Sequence, residues 1–514
     1  AVAVGQRGAL VTEKAYGMAD LEHDAPNSPA TIYEAGSVSK QVVAAAIVLL
    51  ALDGKLSLDE DISRWVPEVA GLRRTITLRH LLTHTSGLPD RYVLHDYEGR
   101  PAGEVDHPNA EVLGLVARLT GLNFEPGEDY LYSNTGYVVA VAVIERVSGR
   151  TLQQLSEERI FRPLGMTATR WREDHRVVVP ARAAAYTGTR ERGFRNDHPF
   201  TRVYGSGGLL TTVDDFLRWQ AALQRGAAPW GAVRDSLERT AVLNDATSIV
   251  YGLGVNVTEL RGVRQVTHTG STGGYRAALS RFPERNLAVA LLCNVGSVSP
   301  ALIARRVATA ALGLAPEPGP RASPPPAIAP SRLEVLAGVY HAPRTEEVLA
   351  LTVRSGRLVA GRDTSAALVP LAEDRFRIGG GAATLVVVPA AAPGGRPRLR
   401  IEAPRARAVE YEPVPPPGRD SAALAPYAGS YRSPELGTAY RIALEKDTLR
   451  ILRGWRGAQD LVPVYRDGFA LGSSDLRFTR DPAGRITGFV VWSGRVRRLR
   501  FERVGPEAAG SGGH

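Results

Sequence analysis

The sequence predicts an α/β domain over residues 1–313, followed by two small all-β, barrel-like domains over 333–412 and 421–505. Three observations predict it. Helical and strand patterns alternate up to a proline-rich stretch, 314–332 (LAPEPGPRASPPPAIAPSR), which is too stiff and too poor in N–H donors for an interior element and reads as a linker. Beyond it nearly every segment is short, alternating and β-branched, punctuated by Gly, Pro and Asp, as antiparallel sheet requires. The third observation is a repeat. Gly338 in LAGVY pairs with Gly429 in YAGSY, Leu358 with Leu449, Leu368-Val-Pro-Leu371 with Leu461-Val-Pro-Val464, and Asp374-Arg-Phe376 with Asp467-Gly-Phe469, at separations of 91 to 93 residues. Four markers in one order imply tandem domains of about 90 residues each. A second proline-rich break, 413–420, divides them, and 506–514 reads as a flexible tail.

Composition narrows the function. At about 100–200 residues per domain, a 514-residue chain holds two to four units. With 44% hydrophobic and 23% charged residues, wholesale disorder is excluded. The longest apolar run, Val42 to Leu52, falls short of the ~18 residues that span a bilayer, so no membrane span is expected. The chain opens AVAVGQRGALVTEKAYG, a strand–turn–strand pattern rather than a basic-then-apolar leader. The single cysteine, Cys293, lies in the apolar run NLAVALLCNV and reads as a buried strand residue; one cysteine allows neither an internal disulfide nor a cysteine-rich metal cage. The net charge is +10, but the arginines are scattered. Their densest run, Arg495-Val-Arg-Arg-Leu-Arg500, reads as a solvated strand face, and no aromatic-interleaved basic motif supports nucleic-acid binding.

The chemistry begins at Glu34-Ala-Gly-Ser-Val-Ser-Lys40, where Gly36 allows a tight turn into a buried helix running to Leu52. Ser37 and Lys40, three apart, share one face of the helix start. The helix dipole there favours an alkoxide on Ser37, and desolvation would favour a neutral Lys40 able to accept the serine proton. Only four of the 63 basic Lys and Arg residues are lysine, and this is the one Ser-x-x-Lys in the chain. An N-capping serine beside a solvated lysine is the alternative, but a lysine entering a buried helix is costly without a purpose.

Tyr130-Leu-Tyr-Ser-Asn134 follows, between Glu125-Pro-Gly127 and the helical pattern YVVAVAVIERVSG. Side chains two apart in extended backbone point the same way, so Tyr132 and Asn134 face one site. A phenol beside an ammonium could shuttle protons, and an amide both donates and accepts. A plain helix cap at Asn134 is the alternative. Further on, Gln265-Val-Thr-His-Thr-Gly-Ser-Thr-Gly-Gly-Tyr-Arg276 and the following AALSRFPERNLAVALLCNVG read as a strand, a glycine-rich turn and two more strands. Gly270 permits close approach, the Ser271 N–H could join that of Ser37 in an oxyanion hole, and His268 would place a polar or cationic group beside the serine and tyrosine.

Ser-x-x-Lys, Tyr-x-Asn and His-x-Gly, in this order and spacing, resemble the penicillin-recognising serine hydrolases: class C β-lactamases, DD-peptidases and their esterase and D-aminopeptidase relatives. LRHLLTHTSGLP (78–89), EPGEDYLYSNTGY (125–137), RPLGMTATR (162–170) and GSGGLLTTVDDFLRW (205–219) resemble that family too. The resemblance implies a β-lactamase/transpeptidase-like catalytic domain, α/β (α+β), with an antiparallel sheet and a helical subdomain. It implies Ser37 as the acylated nucleophile, Lys40 as its proton acceptor and Tyr132 as the acid/base. Asn134 would bind substrate. His268 takes the place of a lysine found in many β-lactamases, with Thr269 and Gly270 completing that motif. The domain order resembles the three-domain D-aminopeptidases of the family, and Asp460, Asp467 and Asp475, which read as loop-like stretches of the last domain, could then meet a substrate amine, with solvated turns as the alternative. Family members usually carry a helix before the first strand, whereas this chain begins within the strand. A periodic repeat of His80 and His84 lacks the Glu and third ligand of a zinc helix, and no G-x-S-x-G elbow or phosphate loop occurs.

The expected function is a serine acyl-hydrolase working through an acyl-enzyme on short peptides, amides or esters. It needs no metal or organic cofactor, and its partner is a small-molecule or short-peptide substrate. A β-lactamase or penicillin-binding DD-carboxypeptidase is the alternative, and a silent binding protein on the same fold the second. Histidine carries less charge than lysine at neutral pH, which weakens recognition of a substrate carboxylate; Arg276 could restore it. The resemblance implies a periplasmic or secreted protein.

Overall fold

The computed structural model describes residues 1–315, 326–361, 366–379, 381–390 and 395–505. The chain divides into two compact units, Ala1–Tyr92 with Pro101–Glu317, and Val93–Arg100 with Pro318–His514. Among the described residues no helix is long and apolar enough to cross a membrane.

The first unit is built on a six-stranded antiparallel sheet. Its strands are β1 (Val2–Gln6), β2 (Ala9–Lys14), β3 (Asn256–Leu260), β4 (Val263–Thr272), β5 (Tyr275–Phe282) and β6 (Leu287–Cys293), in the order β3-β4-β5-β6-β1-β2. The first strand of this unit therefore lies beside its last, with Val4 opposite Val289. β6 is apolar on both faces because it is covered on both, as its unbroken LAVALL run requires. Cys293 closes that strand and is half-buried.

Four helices matter to the site. α1 (Lys40–Leu52) is buried all round from Lys40 to Leu50, and it packs against α2 (Asn134–Ser148), which ends at Gly149 in the left-handed conformation (φ 68°). α3 (Val213–Arg225) lies against β6 and β1. α4 (Pro300–Ala311) sets Ala304 and Ala308 against Val4, Val289 and Leu291. Gly270 lies within β4 opposite Ala277, and the turn follows at Gly273 and Gly274.

The second unit contains two closed barrels of eight antiparallel strands, one from Gly338–His341 to Val409–Pro413, the other from Gly429–Arg432 to Val496–Val504. The repeat has a structural cause. Gly338 and Gly429 open the first strands, and Pro370 and Pro463 sit at bulges in the fourth, where a missing N–H breaks no ladder. Residues 93–100 are held to the second barrel by Arg453 and Arg456 on Asp96.

Several expectations change. Residues 316–325 of the anticipated linker, and the tail 506–514, lie outside the described residues. The linker's last residues open a helix, Pro330–Leu336, whose Leu333 and Leu336 enter the first barrel's core; a proline at the first helical position loses no bond. The basic run is not a wholly solvated face, because Arg497 is buried and Arg498 donates to Glu346 at 3.2 Å. Asp460 and Asp475 belong to strands, and Asp475 is buried. Asp460 pairs with Arg450, while Asp467 accepts from Arg480 and the Tyr427 hydroxyl.

Candidate active site

Residues Gly36–Ser39 form a 3-10 turn that feeds α1. Two glycines let this turn press against β4. Gly36 has φ 50°, and a Cβ there would stand 2.6 Å from the Ser271 nitrogen; a Cβ on Gly270 would strike the Ala35 carbonyl and stand 3.1 Å from the Ser37 nitrogen. Ser39 locks the turn, donating to the Gly36 carbonyl at 2.5 Å and accepting from the Leu209 N–H. From Tyr33 to Leu50 every residue is buried except Ser37. The backbone nitrogens of Ser37 and Ser271 flank the contact.

Lys40 is fully buried. Its Nζ donates to the Ser206 carbonyl at 2.6 Å and to Asn134 Oδ1 at 2.9 Å, and it lies 3.1 Å from Ser37 Oγ. Three oxygens, two of them carbonyl acceptors and the third the Ser37 hydroxyl, thus lie within hydrogen-bond reach of the ammonium. A protonated lysine donates to Ser37 Oγ at this distance, and a neutral one can accept the Ser37 O–H. The rings of Tyr132 and Tyr137 lie close by, their centroids 4.9 and 5.3 Å from Nζ. Gly254 presses on the Lys40 backbone, where a Cβ would stand 2.8 Å from its carbonyl carbon.

Asn134 is the first residue of α2, but it does not cap it; Ser133 holds that position, without a side-chain bond. The Asn134 amide instead bridges Lys40 and Asp90, with Nδ2 donating to Asp90 Oδ2 at 2.8 Å. The Tyr132 ring lies 4.1 Å from the His84 ring, and His84 Nδ1 accepts the Ser133 N–H at 3.2 Å. His80 works elsewhere, in the capping box of the short helix Leu78–Leu82. Among the described residues no group of three His, Cys, Asp or Glu could hold a metal ion.

His268 is buried beside this cluster, 6.2 Å from the Tyr132 ring. A carbonyl only accepts, so the 2.6 Å contact from Nδ1 to Thr269 O fixes the proton on Nδ1. Nε2 is then an acceptor and takes the Tyr251 hydroxyl at 2.8 Å. Burial, then the Lys40 charge, push the imidazole down to about 3. The ring is neutral and offers no positive charge to a substrate carboxylate. Burial raises the Tyr251 phenol well above its ordinary value, so it too remains a neutral donor. Arg276 Nη1 donates to the carbonyls of Gly273 and Tyr275, which ties the guanidinium to its own turn. Thr269 and Ser271 are exposed.

The structure thus gathers Ser37, Lys40, Tyr132, Asn134 and His268, with Gly270 and Ser271 alongside. Sequence reasoning missed Asp90, directly after LRHLLTHTSGLP, as well as His84, Ser206 and Tyr251.

A model of the Beta-lactamase family matches residues 1–313, well over half the chain. The chain belongs to that family. It is a serine hydrolase of the β-lactamase fold. A D-aminopeptidase of Brucella canis is 26% identical over 524 residues, covering 98% of this chain and 95% of its own length. Penicillin-binding protein 4* of Bacillus subtilis is 28% identical over 308 residues, covering 57% of this chain and 67% of its own. Among solved structures, the octameric penicillin-binding protein homologue of Pyrococcus abyssi has a TM-score of 0.57 at 24% identity, over 80% of this chain and 95% of that one, and shares the fold.

Proposed function

We propose that Ser37 is the nucleophile of an acyl transfer to water, on short peptides, amides or esters of the kind a D-aminopeptidase hydrolyses. The observation that carries this reading is the Lys40 ammonium, held by Asn134 Oδ1 and the Ser206 carbonyl with Ser37 Oγ 3.1 Å away. In the neutral form Lys40 takes the Ser37 proton as Oγ attacks the substrate carbonyl. The oxyanion receives the N–H groups of Ser37 and Ser271, and Tyr132, beside Lys40, returns a proton to the leaving amine or alcohol. Water then enters along the same path in reverse and releases the acid. Asn134 and the exposed edge at Thr269 to Ser271 border the substrate. The neutral His268 favours substrates without a carboxylate at that end.

Intact-protein mass spectrometry tests it, after incubation with a p-nitrophenyl ester, a D-alanyl amide and a β-lactam, beside Ser37→Ala. Turnover of the amide with an adduct or burst at Ser37 supports the reading. A stable penicilloyl adduct points to a penicillin-binding peptidase, and fast β-lactam turnover to a lactamase. No adduct with any probe leaves a binding protein on an enzyme fold.

A further inference from the structure

We infer that Asp90 is a positioning residue for this acyl transfer, because its carboxylate decides which end of the Asn134 amide faces Lys40. The inference rests on Ser37 and Lys40 acting as proposed. Asp90 is fully buried, and Oδ2 accepts both the backbone N–H and the side-chain Nδ2 of Asn134, each at 2.8 Å. A carboxylate only accepts and an ammonium only donates. An amide held between them has one orientation, with NH₂ on Asp90 and Oδ1 on Lys40 Nζ at 2.9 Å. Without that constraint the amide could turn its NH₂ toward the lysine and remove one of the two acceptors that aim Nζ at Ser37.

Asp90 is itself fixed from several sides. Its Oδ1 accepts the Tyr92 N–H at 3.0 Å. On either side of it, the Thr135 hydroxyl donates to the Pro89 carbonyl at 2.6 Å and accepts the Arg91 N–H at 2.9 Å. Residues 89–92 are therefore clamped to the start of α2, and the polarity of Asn134 is set by a rigid partner rather than by the lysine it serves.

Titratable groups packed around Lys40 include Tyr132, Tyr137 of α2 and His268 of β4, with Tyr251 behind His268, His84 and Tyr130 against these rings, and Asp90 behind Asn134. Tyr137 and Tyr251 are held protonated by burial and His268 is neutral, while Asp90 presents its carboxylate to the Asn134 amide that faces Lys40. Asp90→Asn removes that charge and frees the amide to turn, and both changes disfavour the ammonium of Lys40.

The test measures the pH dependence of the acylation burst with a p-nitrophenyl ester in wild type, Asp90→Asn and the exchange Asp90→Asn/Asn134→Asp, with mass spectrometry reporting the adduct at Ser37. In Asp90→Asn the plateau rate should fall about tenfold or more, since the base is no longer aimed, and the acid limb should move about one unit lower in pH. In the exchange variant a carboxylate accepts on both sides, so orientation no longer matters. Its plateau should recover in part, and its acid limb should lie above that of wild type. A slower Asp90→Asn with an unmoved limb means a structural role only and overturns the inference, as does an unchanged rate. If Asp90→Asn does not fold, the exchange variant decides by whether its limb rises or stays at the wild-type pH. Failure of wild type itself to acylate at Ser37 would instead remove the functional reading on which the inference stands.

Discussion

Tyr251 donates its hydroxyl to His268 Nε2 at 2.8 Å, and it can do so only because the Thr269 carbonyl holds the ring proton on Nδ1. With the imidazole pushed down to about 3, the unfolded chain, whose histidine titrates near ~6.5, binds the extra proton first. The site's stabilisation is therefore complete above pH ~6.5 and is lost as pH falls toward about 3. Tyr251→Phe leaves a buried acceptor without its donor and should lower the unfolding free energy at pH 7.5 by about 1–3 kcal/mol. Urea denaturation checks it; an unchanged midpoint would mean that the bond adds nothing to stability.

Gly36→Ala should damage both fold and chemistry. A residue with a Cβ resists φ 50° at about 1–2 kcal/mol, and here the Cβ would also stand 2.6 Å from the Ser271 nitrogen. The turn must move away from β4, which separates the two candidate oxyanion donors. The acylation rate should fall by about tenfold to a hundredfold. Gly54→Ala is the control, because Gly54 has φ 71° but nothing within 4 Å of a Cβ. It should carry the backbone strain alone and acylate at the wild-type rate.

Lys40→Met tests the base. Methionine is similar in size and fits the buried helix start, but it can neither accept the Ser37 proton nor donate to Asn134 Oδ1 and the Ser206 carbonyl. The burst rate should fall by about 10²–10⁴-fold, the range of a lost general base. Stopped-flow measurement with an activated ester reads it directly. A rate within a few fold of wild type would mean that the serine proton leaves by another route.

Ser37 and Lys40 were legible because a helix turns an i, i+3 spacing into a contact. Asp90, Tyr251 and Ser206 were not. Asp90 meets Asn134 across 44 positions, and Ser206 meets Lys40 across 166, through a backbone carbonyl that no side-chain pattern displays. The repeat announced two β domains, and alternation gave the strands, but closure depends on Ser430 pairing with Val504, which strand patterns leave open. The 495–500 run misled for a related reason. Charge density along the chain does not reveal that Glu346, 152 residues earlier, is waiting for Arg498.

That glutamate gives the second unit an acid-sensitive joint between its two barrels. Glu346 is buried, and its oxygens accept from Arg477 at 2.7 Å, His341 at 3.1 Å and Arg498 at 3.2 Å. Burial alone would raise its carboxyl; the bonds from His341 and Arg477 outweigh burial and hold it at about 2. An unfolded glutamate titrates near ~4.3, so the contribution is fully present above that pH and disappears as pH falls toward about 2. Glu346→Gln leaves the guanidinium groups facing a neutral amide. It should destabilise the second unit by about 2–3 kcal/mol at pH 7, below the value for a fully buried pair because both arginines are partly exposed. At pH 2 the difference from wild type should shrink. Calorimetry of the full chain from pH 7 to pH 2 would show the two melting curves converging, whereas a constant gap would mean that Glu346 acts by packing rather than by charge.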